Sequence, residues 1–429
     1  MFERLIKRLR GVDEGPPREW LFDPLYTVEQ LGTISNWPII SVLPFAAPGA
    51  ESSIRMLPGP GMGIILANLL RRNLLLTRQV SVVELGDLMR TAPEGATADW
   101  DFDSLSHGEC DVLIHGAIYP HNTTEGVLEL RVLRPEQPPV APLRLKFPYD
   151  RVSELGAFAA KRLAALLSLR ITPEITAIWR QGQPQDWPSL CRAAACVERN
   201  DMLKLVELVD TEQAHADAIT VACGSDSIEV EHQSLLMAAR RDKVNPNLLR
   251  SLFFKTWKSN GEFEPEAMKL LVQSLRFGPG DGKSQMCLPH VIPKIPANIP
   301  FVLAHSHCGY RLLRTNAFAL HNFSLYLMQY SPEDSRIPAL FIEAMELDPA
   351  APGPCLAAIE YLNSRGRTAE ALRFAQLLVQ LCTPPMHPRT LYWFGENPVN
   401  KRAMETGEFD PLKHALSKVA ECKALLDQD

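Results

Sequence analysis

The spacing of apolar residues changes near Arg170, and that change constrains the fold more than any other feature of the chain. Before it, short apolar runs and alternating segments are interleaved with helical ones; after it, almost every segment has helical spacing. Period two buries one face of a strand, whereas a spacing of three and four buries one stripe of a helix. The switch predicts an α+β amino-terminal domain followed by an all-α region.

Pro38 to Phe45 is a nearly continuous apolar run of strand length, as expected of a strand covered on both faces. A Gly- and Pro-rich loop ends at Gly63. A helix is expected from about Ile64 to Leu75, with Ile65, Leu66, Leu69 and Leu70 inside and Asn68, Arg71 and Arg72 outside. Arg78 to Glu84 predicts a second strand, Leu85 to Arg90 a short helix, and Thr91 to Glu109 an acidic loop. Asp111 to Tyr119 predicts a third strand. In Val127 to Leu133 the apolar Leu128, Leu130 and Val132 alternate with Glu129 and Arg131, and in Leu143 to Phe147 the charged Arg144 and Lys146 alternate with Leu143, Leu145 and Phe147. Such alternation means one buried and one wet face, hence antiparallel strands at one side of the sheet, with opposite charges able to pair across them. Ser153 to Leu169 closes the domain as a helix, with Leu155, Leu163 and Leu166 inside and Lys161, Arg162 and Arg170 outside. The expected order is β-α-β-α-β-β-β-α in a mixed sheet.

Residues 37–170 resemble the TolB amino-terminal-domain family. The likeness is carried by the Val42–Phe45 strand end, the helix opening at a glycine, the Asp111–Ile118 strand, the hairpin and the Ala-rich closing helix. The resemblance implies a non-catalytic binding or assembly module, often found beside tetratricopeptide repeats.

Beyond Arg170, helices are expected at Asp186–Val197, Met202–Val209, Glu212–Cys223, Glu229–Arg241, Asn247–Lys258 and Pro265–Phe277. Helices this short bury their faces by stacking on neighbours. Leu356 to Leu362, a turn at Ser364–Arg367 and Thr368 to Leu372 form a helix-turn-helix. Pro384 follows Pro349 by 35 residues, close to the tetratricopeptide period of about 34. The Gly366 turn and the small Ala371 resemble that family's helix junction, while Ile359 and Ala375 depart from it. A more degenerate unit precedes it, at about His321 to Pro349. The Pro-rich stretch 278–300 is expected to be a linker or wrapped loop. Asp410 to Leu426 predicts a last amphipathic helix, with Asp410 as N-cap, Pro411 at N1, and Leu412, Leu416, Val419 and Leu426 inside.

A net charge of −6 argues against a global basic field, so no nucleic-acid partner is expected. The nine cysteines, an odd number that includes Cys191, Cys196, Cys355 and Cys422, have no framework spacing and suit a reducing compartment. No apolar run approaches the roughly 18 residues that span a bilayer. Residues 1–10 set Phe2, Leu5, Ile6 and Leu9 among Arg4, Lys7, Arg8 and Arg10, without the apolar core of a signal peptide. A cytoplasmic protein is expected, in which the sequons at Asn122 and Asn322 carry no meaning. Residues 1–10 are either an ordinary surface helix or a weak membrane-surface or partner-docking arm.

Candidate chemistry is sparse. Gly278 to Ser284 suggests a phosphate loop, but its glycines are separated by three residues where the motif needs four, and a helix precedes it. Gly59 to Gly63 opens a helix after a strand and is a potential anion site, although Pro60 lacks an N–H. His305, His307 and Cys308, with Cys287 or His290, are candidate metal ligands if extended backbone turns alternate residues to one side. Asp101 and Asp103 fall in a polar loop, and no nucleophile-elbow motif occurs. No catalytic, cofactor-binding or metal residue is therefore assigned, and no cofactor is expected.

The expected organisation is an arm and linker (1–36), a TolB-amino-terminal-like α/β domain (37–170), a helical region (171–277), a Pro-rich linker (278–300), and a tetratricopeptide-like region with its tail helix (301–429). The function expected is a non-enzymatic, cytoplasmic, bacterial scaffold or adaptor for complex assembly, with protein partners or self-association. A nucleotide or anion sensor using Gly59–Gly63 and a peripheral membrane regulator using residues 1–10 are the alternatives.

Overall fold

A computed structural model describes residues 23–46, 60–83, 110–134 apart from 123, 137, 141–190 apart from 188, 206–209, 216–219, 232–260, 265–395 and 402–427 apart from 405. The expected helices at 85–90, 186–197, 202–209 and 212–223 and the acidic loop 91–109 lie wholly or largely outside these residues, as does the arm at 1–10.

The chain divides into two compact units, a sheet unit of residues 24–291 with 311–313 and a helical unit of 292–310 with 314 onward. The division falls inside the Pro-rich stretch, and Arg170 is not a boundary.

The sheet unit opens with α1 (Val28–Ile34), closed at its start by a capping box in which Thr27 Oγ1 accepts from the Gln30 N–H and Gln30 Oε1 from the Thr27 N–H. Five strands follow: β1 (Ile39–Val42), β2 (Ser81–Val83), β3 (Val112–Pro120), β4 (Glu125–Leu133) and β5 (Leu143–Pro148). Their order is β2-β1-β3-β4-β5, with β1 parallel to both β2 and β3, and with β3, β4 and β5 antiparallel. This is a mixed sheet with its antiparallel part at one side, as the alternation requires. Leu128, Leu130, Val132, Leu145 and Phe147 are buried on the face covered by α2 (Pro60–Leu75) and α3 (Val152–Leu166).

Three details differ from the expected pattern. The polar Asn68, Arg71 and Arg72 of α2 are buried, because this helix is enclosed on all sides. Arg71 donates to Asn68 Oδ1 and to the Val42 carbonyl, and Arg72 forms a two-pronged pair with Asp242, Nε to Oδ2 at 2.6 Å and Nη2 to Oδ1 at 2.5 Å. Leu166 is exposed, since α3 ends there and Leu167 is its C-cap. Finally, α4 (Pro173–Gln181) continues the core beyond Arg170. Its Trp179 is fully buried in the same apolar cluster as β1 and α2 and donates Nε1 to the Asn73 carbonyl at 2.8 Å. At Arg170 itself the backbone is tied back by Gln79, whose side chain accepts from its N–H and donates to its carbonyl.

Next come α5 (His232–Arg241), α6 (Pro246–Asn260), α7 (Pro265–Phe277) and α8 (Gly282–Val291), the last three packed in sequence. The linker expected over 278–300 is thus largely helical. Helix α8 is buried almost throughout, a 3₁₀ turn spans Pro296–Asn298, and α9 (Ile299–Leu312) begins directly after it. Pro296 and Pro300 occupy first turns, where the missing N–H costs nothing, whereas Pro289 lies inside α8 close to its end.

In the helical unit, α10 (Ala317–Tyr330) and α11 (Ile337–Leu347) form one pair, and α12 (Pro352–Ser364) and α13 (Thr368–Cys382) a second. Gly366 makes the second turn at φ +67°, a left-handed conformation that a Cβ would strain. Helix α12 packs on α10 before it and on α14 (Pro388–Gly395) after it. Both α10 and α12 are buried on nearly every side. The tail helix α15 (Pro411–Leu426) lies on α13, and Asp410 caps it by accepting from the Leu412 and Lys413 N–H groups. Its inward face is Pro411, Ala415 and Cys422 with Leu412 and Val419 partly covered, whereas Leu416 is 51 % exposed and Leu426 also faces water. Small residues face inward because α13 contributes the buried Ala371 and Ala375, so two helices can approach closely.

Candidate interaction surface

The strand register assembles a charged face on the side of the sheet away from α2 and α3. Residues directly opposite in a ladder share a face, so the pairs His115–Arg131, Ala117–Glu129 and Tyr119–Val127 lie beside Glu129–Arg144 and Val127–Lys146. Glu129 accepts from Arg131 Nε and Nη2 at 3.1 and 3.0 Å and from Arg144 Nε at 2.9 Å. The cross-strand pairing of opposite charges expected from alternation is therefore formed. The Glu129 side chain is 8 % exposed, against 55 % and 70 % for the arginines. It is covered by exposed side chains and shielded from water without lying deep.

Burial alone would raise the Glu129 carboxyl, but the hydrogen bonds and charges of Arg131 and Arg144 hold it below the usual carboxylate range. His115 is pushed down by burial, with the Arg131 charge acting in the same direction and Glu129 against it. At the hairpin end Lys146 Nζ donates to His121 Nε2 at 3.1 Å, and Tyr119 is exposed. The face combines a fixed pair of guanidiniums, an ammonium and an aromatic ring, which suits recognition of anionic groups more than chemistry on them.

His115 and Tyr119 were legible as neighbours only through register. Period two sets 115, 117 and 119 on one side of β3, but which side requires the pairing with β4.

The motifs singled out in the sequence take structural places. Gly59 lies outside the described residues, and α2 begins at Pro60. Gly63 packs against the backbone that leaves β1, and a Cβ there would come within 1.9 Å of the Phe45 carbonyl oxygen. Close approach accounts for this glycine without a ligand. In the phosphate-loop-like stretch, Asp281 precedes α8 and pairs with Arg250 Nη1 at 2.5 Å, while Ser284 Oγ donates to Asp281 Oδ2 at 2.6 Å. A protein carboxylate thus stands at the start of α8, where a phosphate loop would hold an anion.

His305, His307 and Cys308 lie on α9, not on extended backbone. At 100° per residue, His305 and His307 point to nearly opposite sides, so the alternate-residue geometry fails. Burial lowers His305 to about 3 and raises the Cys308 thiol. His307 instead packs on the Phe323 ring, which stacks with Tyr310 at 5.5 Å. Cys287 and His290 belong to the sheet unit. Among the described residues no group of three or more His, Cys, Asp or Glu side chains is placed to hold a metal ion. Asp101, Asp103 and residues 1–10 lie outside the described residues.

Burial pushes Cys355 up to about 12 and Cys382 up to about 11, and Cys355 Sγ donates to Met345 Sδ at 3.2 Å. No helix among the described residues is long and apolar enough to cross a membrane. The sequence matches no protein-family model and no curated protein.

Proposed function

We propose that this chain is a non-enzymatic scaffold or adaptor of the bacterial cytoplasm, assembling protein partners through a tetratricopeptide-like helical surface and a TolB-amino-terminal-like docking domain. One observation carries the reading. Ile342 on α11 and Leu377 on α13 are both large, apolar and exposed, and they lie 35 residues apart. That is the spacing of Pro349 and Pro384 and of the first residues of α10 and α12. A single exposed apolar residue needs no explanation, but one that recurs with the structural period marks a face kept for contact.

The partner surface differs from the concave one usual in such arrays. Helices α10 and α12, which would line a concave side, are already covered, so the outer helices α11 and α13 carry the contact. On the sheet unit, the Arg131–Glu129–Arg144 face serves as the second docking surface.

Cross-linking in native extract, followed by size separation, tests this. The full-length protein is expected in discrete larger complexes that are lost in an Ile342→Glu, Leu377→Glu double variant whose circular dichroism is unchanged. A wild-type protein that is strictly monomeric and partnerless contradicts the reading.

A further inference from the structure

The two edges of the sheet are treated differently. At β2, only three residues long, Ser81 Oγ donates to the Gly280 carbonyl at 2.7 Å. Gly280 lies so close to the Val80 carbonyl that a Cβ would come within 2.2 Å. That edge is covered by its own chain. The other edge is β5, six residues long, and among the described residues no strand lies beyond it. In an antiparallel pair alternate residues turn their N–H and C=O away from the partner, so at this edge β5 presents the N–H groups of Arg144 and Lys146 and the carbonyls beside them, with no strand on them among the described residues.

Charge on an edge strand often serves only to prevent aggregation. Here it is also organised. Glu129 holds Arg144 through Nε alone, so among the described residues both Nη nitrogens of Arg144 and Nη1 of Arg131 make no hydrogen bond. Lys146 follows on the same face, so two of the three outward residues of β5 are cations and the third is Pro148. The carboxylates of this face, Glu125 and Glu129, are on β4, one strand further from the edge. On its other face β5 sets Leu143, Leu145 and Phe147, all apolar.

We propose that an extended acidic segment of a protein partner adds to β5 as a sixth strand. Its carboxylates alternate onto the outward face beside Arg144 and Lys146, and its intervening apolar residues lie beside Leu143, Leu145 and Phe147. Backbone pairing supplies affinity and the alternating side chains supply selection. A second copy does not fit this edge, because pairing β5 with itself sets cations against cations. The proposal rests on the scaffold reading and names the partner chemistry of its docking domain.

The test uses full-length protein and a fluorescent ten-residue peptide (about two pleat repeats longer than β5) alternating Glu and Val, read by anisotropy and by hydrogen exchange. We expect saturable binding, slowed exchange of the Arg144 and Lys146 amides, and a loss of about tenfold or more in affinity for Lys146→Glu and for Arg144→Gln. Lys146→Glu leaves the Glu129–Arg144 pair in place, so a folding defect in one variant does not mask the other. A Lys/Val peptide is expected not to bind the wild type. No binding of the Glu/Val peptide up to about 1 mM overturns the proposal. So does binding unaffected by either substitution, or binding that leaves the β5 amides unprotected. A single-stranded oligonucleotide that binds this face while the peptide does not overturns it too. If the peptide fails while complexes dependent on Ile342 and Leu377 persist, only the edge proposal falls. If the peptide binds but no such complexes exist, only the scaffold reading falls.

Discussion

The sheet unit and the helical unit are specified by different kinds of contact. In the sheet unit, buried ion pairs join elements far apart in sequence. Arg72 on α2 meets Asp242 after α5, and Arg250 on α6 meets Asp281 before α8, with every partner at most 5 % exposed. In the helical unit, ion pairs such as Arg389–Asp348 and Arg365–Glu333 have an exposed partner, and the apolar cluster is aliphatic and aromatic. Phe341 meets Tyr361 edge-on across the α11–α12 interface. The sheet unit therefore depends on particular residues finding particular partners, whereas the helical unit depends on apolar packing between successive helices that many side chains satisfy.

The strongest break of this comparison is Arg72→Ala. It leaves the Asp242 carboxylate buried without its partner and is expected to destabilise the sheet unit by about 3–5 kcal/mol. Replacing both residues, Arg72→Met with Asp242→Leu, is expected to recover most of the loss. Urea unfolding followed by exchange of the β1 and β3 amides reads both. A double variant as unstable as the single one would mean that the pair does more than neutralise itself.

In the helical unit the corresponding test is Leu378→Ala, at a fully buried position of α13. The expected cost is about 3 kcal/mol, the range for a Leu-sized cavity. It should be confined to the helical unit; equal loosening of β1 and β3 would dissolve the distinction between the units.

Acid sharpens the contrast further. Burial pushes His305 and His321 of the helical unit down to about 3, while their unfolded value is near 6.5. Between those values the unfolded chain binds protons that the folded unit refuses, so stability falls as pH falls. Each histidine is expected to remove about 2 kcal/mol between pH 7 and pH 5. Replacing either by Gln should flatten the slope of stability against pH, measured by thermal unfolding. His115 in the sheet unit shifts in the same direction but is only half-buried, so its share is smaller. The Glu129 carboxyl, held low, loses its contribution only below the ordinary carboxylate range.

The smallest effects are local. Asp410→Ala removes the cap of α15 and Gly366→Ala strains the α12–α13 turn, each at about 1 kcal/mol by thermal unfolding.

What the sequence made legible follows the same division. The β4 and β5 strands and their facing charges could be read because one face is wet, and alternation records that directly. The cap of α15 was equally plain, since Asp410 and Pro411 act through their own backbone neighbours. Arg71 and Arg72 were misread because a charged side chain is ordinarily solvated, and nothing local signals a partner at Asp242. On α15, Leu412 and Val419 pack on the core as their spacing predicts, but Leu416 and Leu426 face water, because side-chain size alone does not signal burial. In the structure Ala415 and Cys422 face inward, where α13 presents Ala371 and Ala375, and Leu416 turns out. The boundary expected at Arg170 marks a change of secondary structure and not of core, because Trp179 is buried with β1 and α2. The charged face of the sheet was half legible: its residues were visible, and their juxtaposition with His115 and Tyr119 needed the register.

Helices α4 and α5 belong with the sheet, and the chain divides within 278–300. Native-state hydrogen exchange on the full-length protein tests it most directly. Amides of Pro173–Gln181 and His232–Arg241 are expected to open together with those of β1 and β3, and separately from those of Pro352–Ser364. Opening of Pro173–Gln181 in step with Pro352–Ser364, while the sheet stays closed, would contradict it.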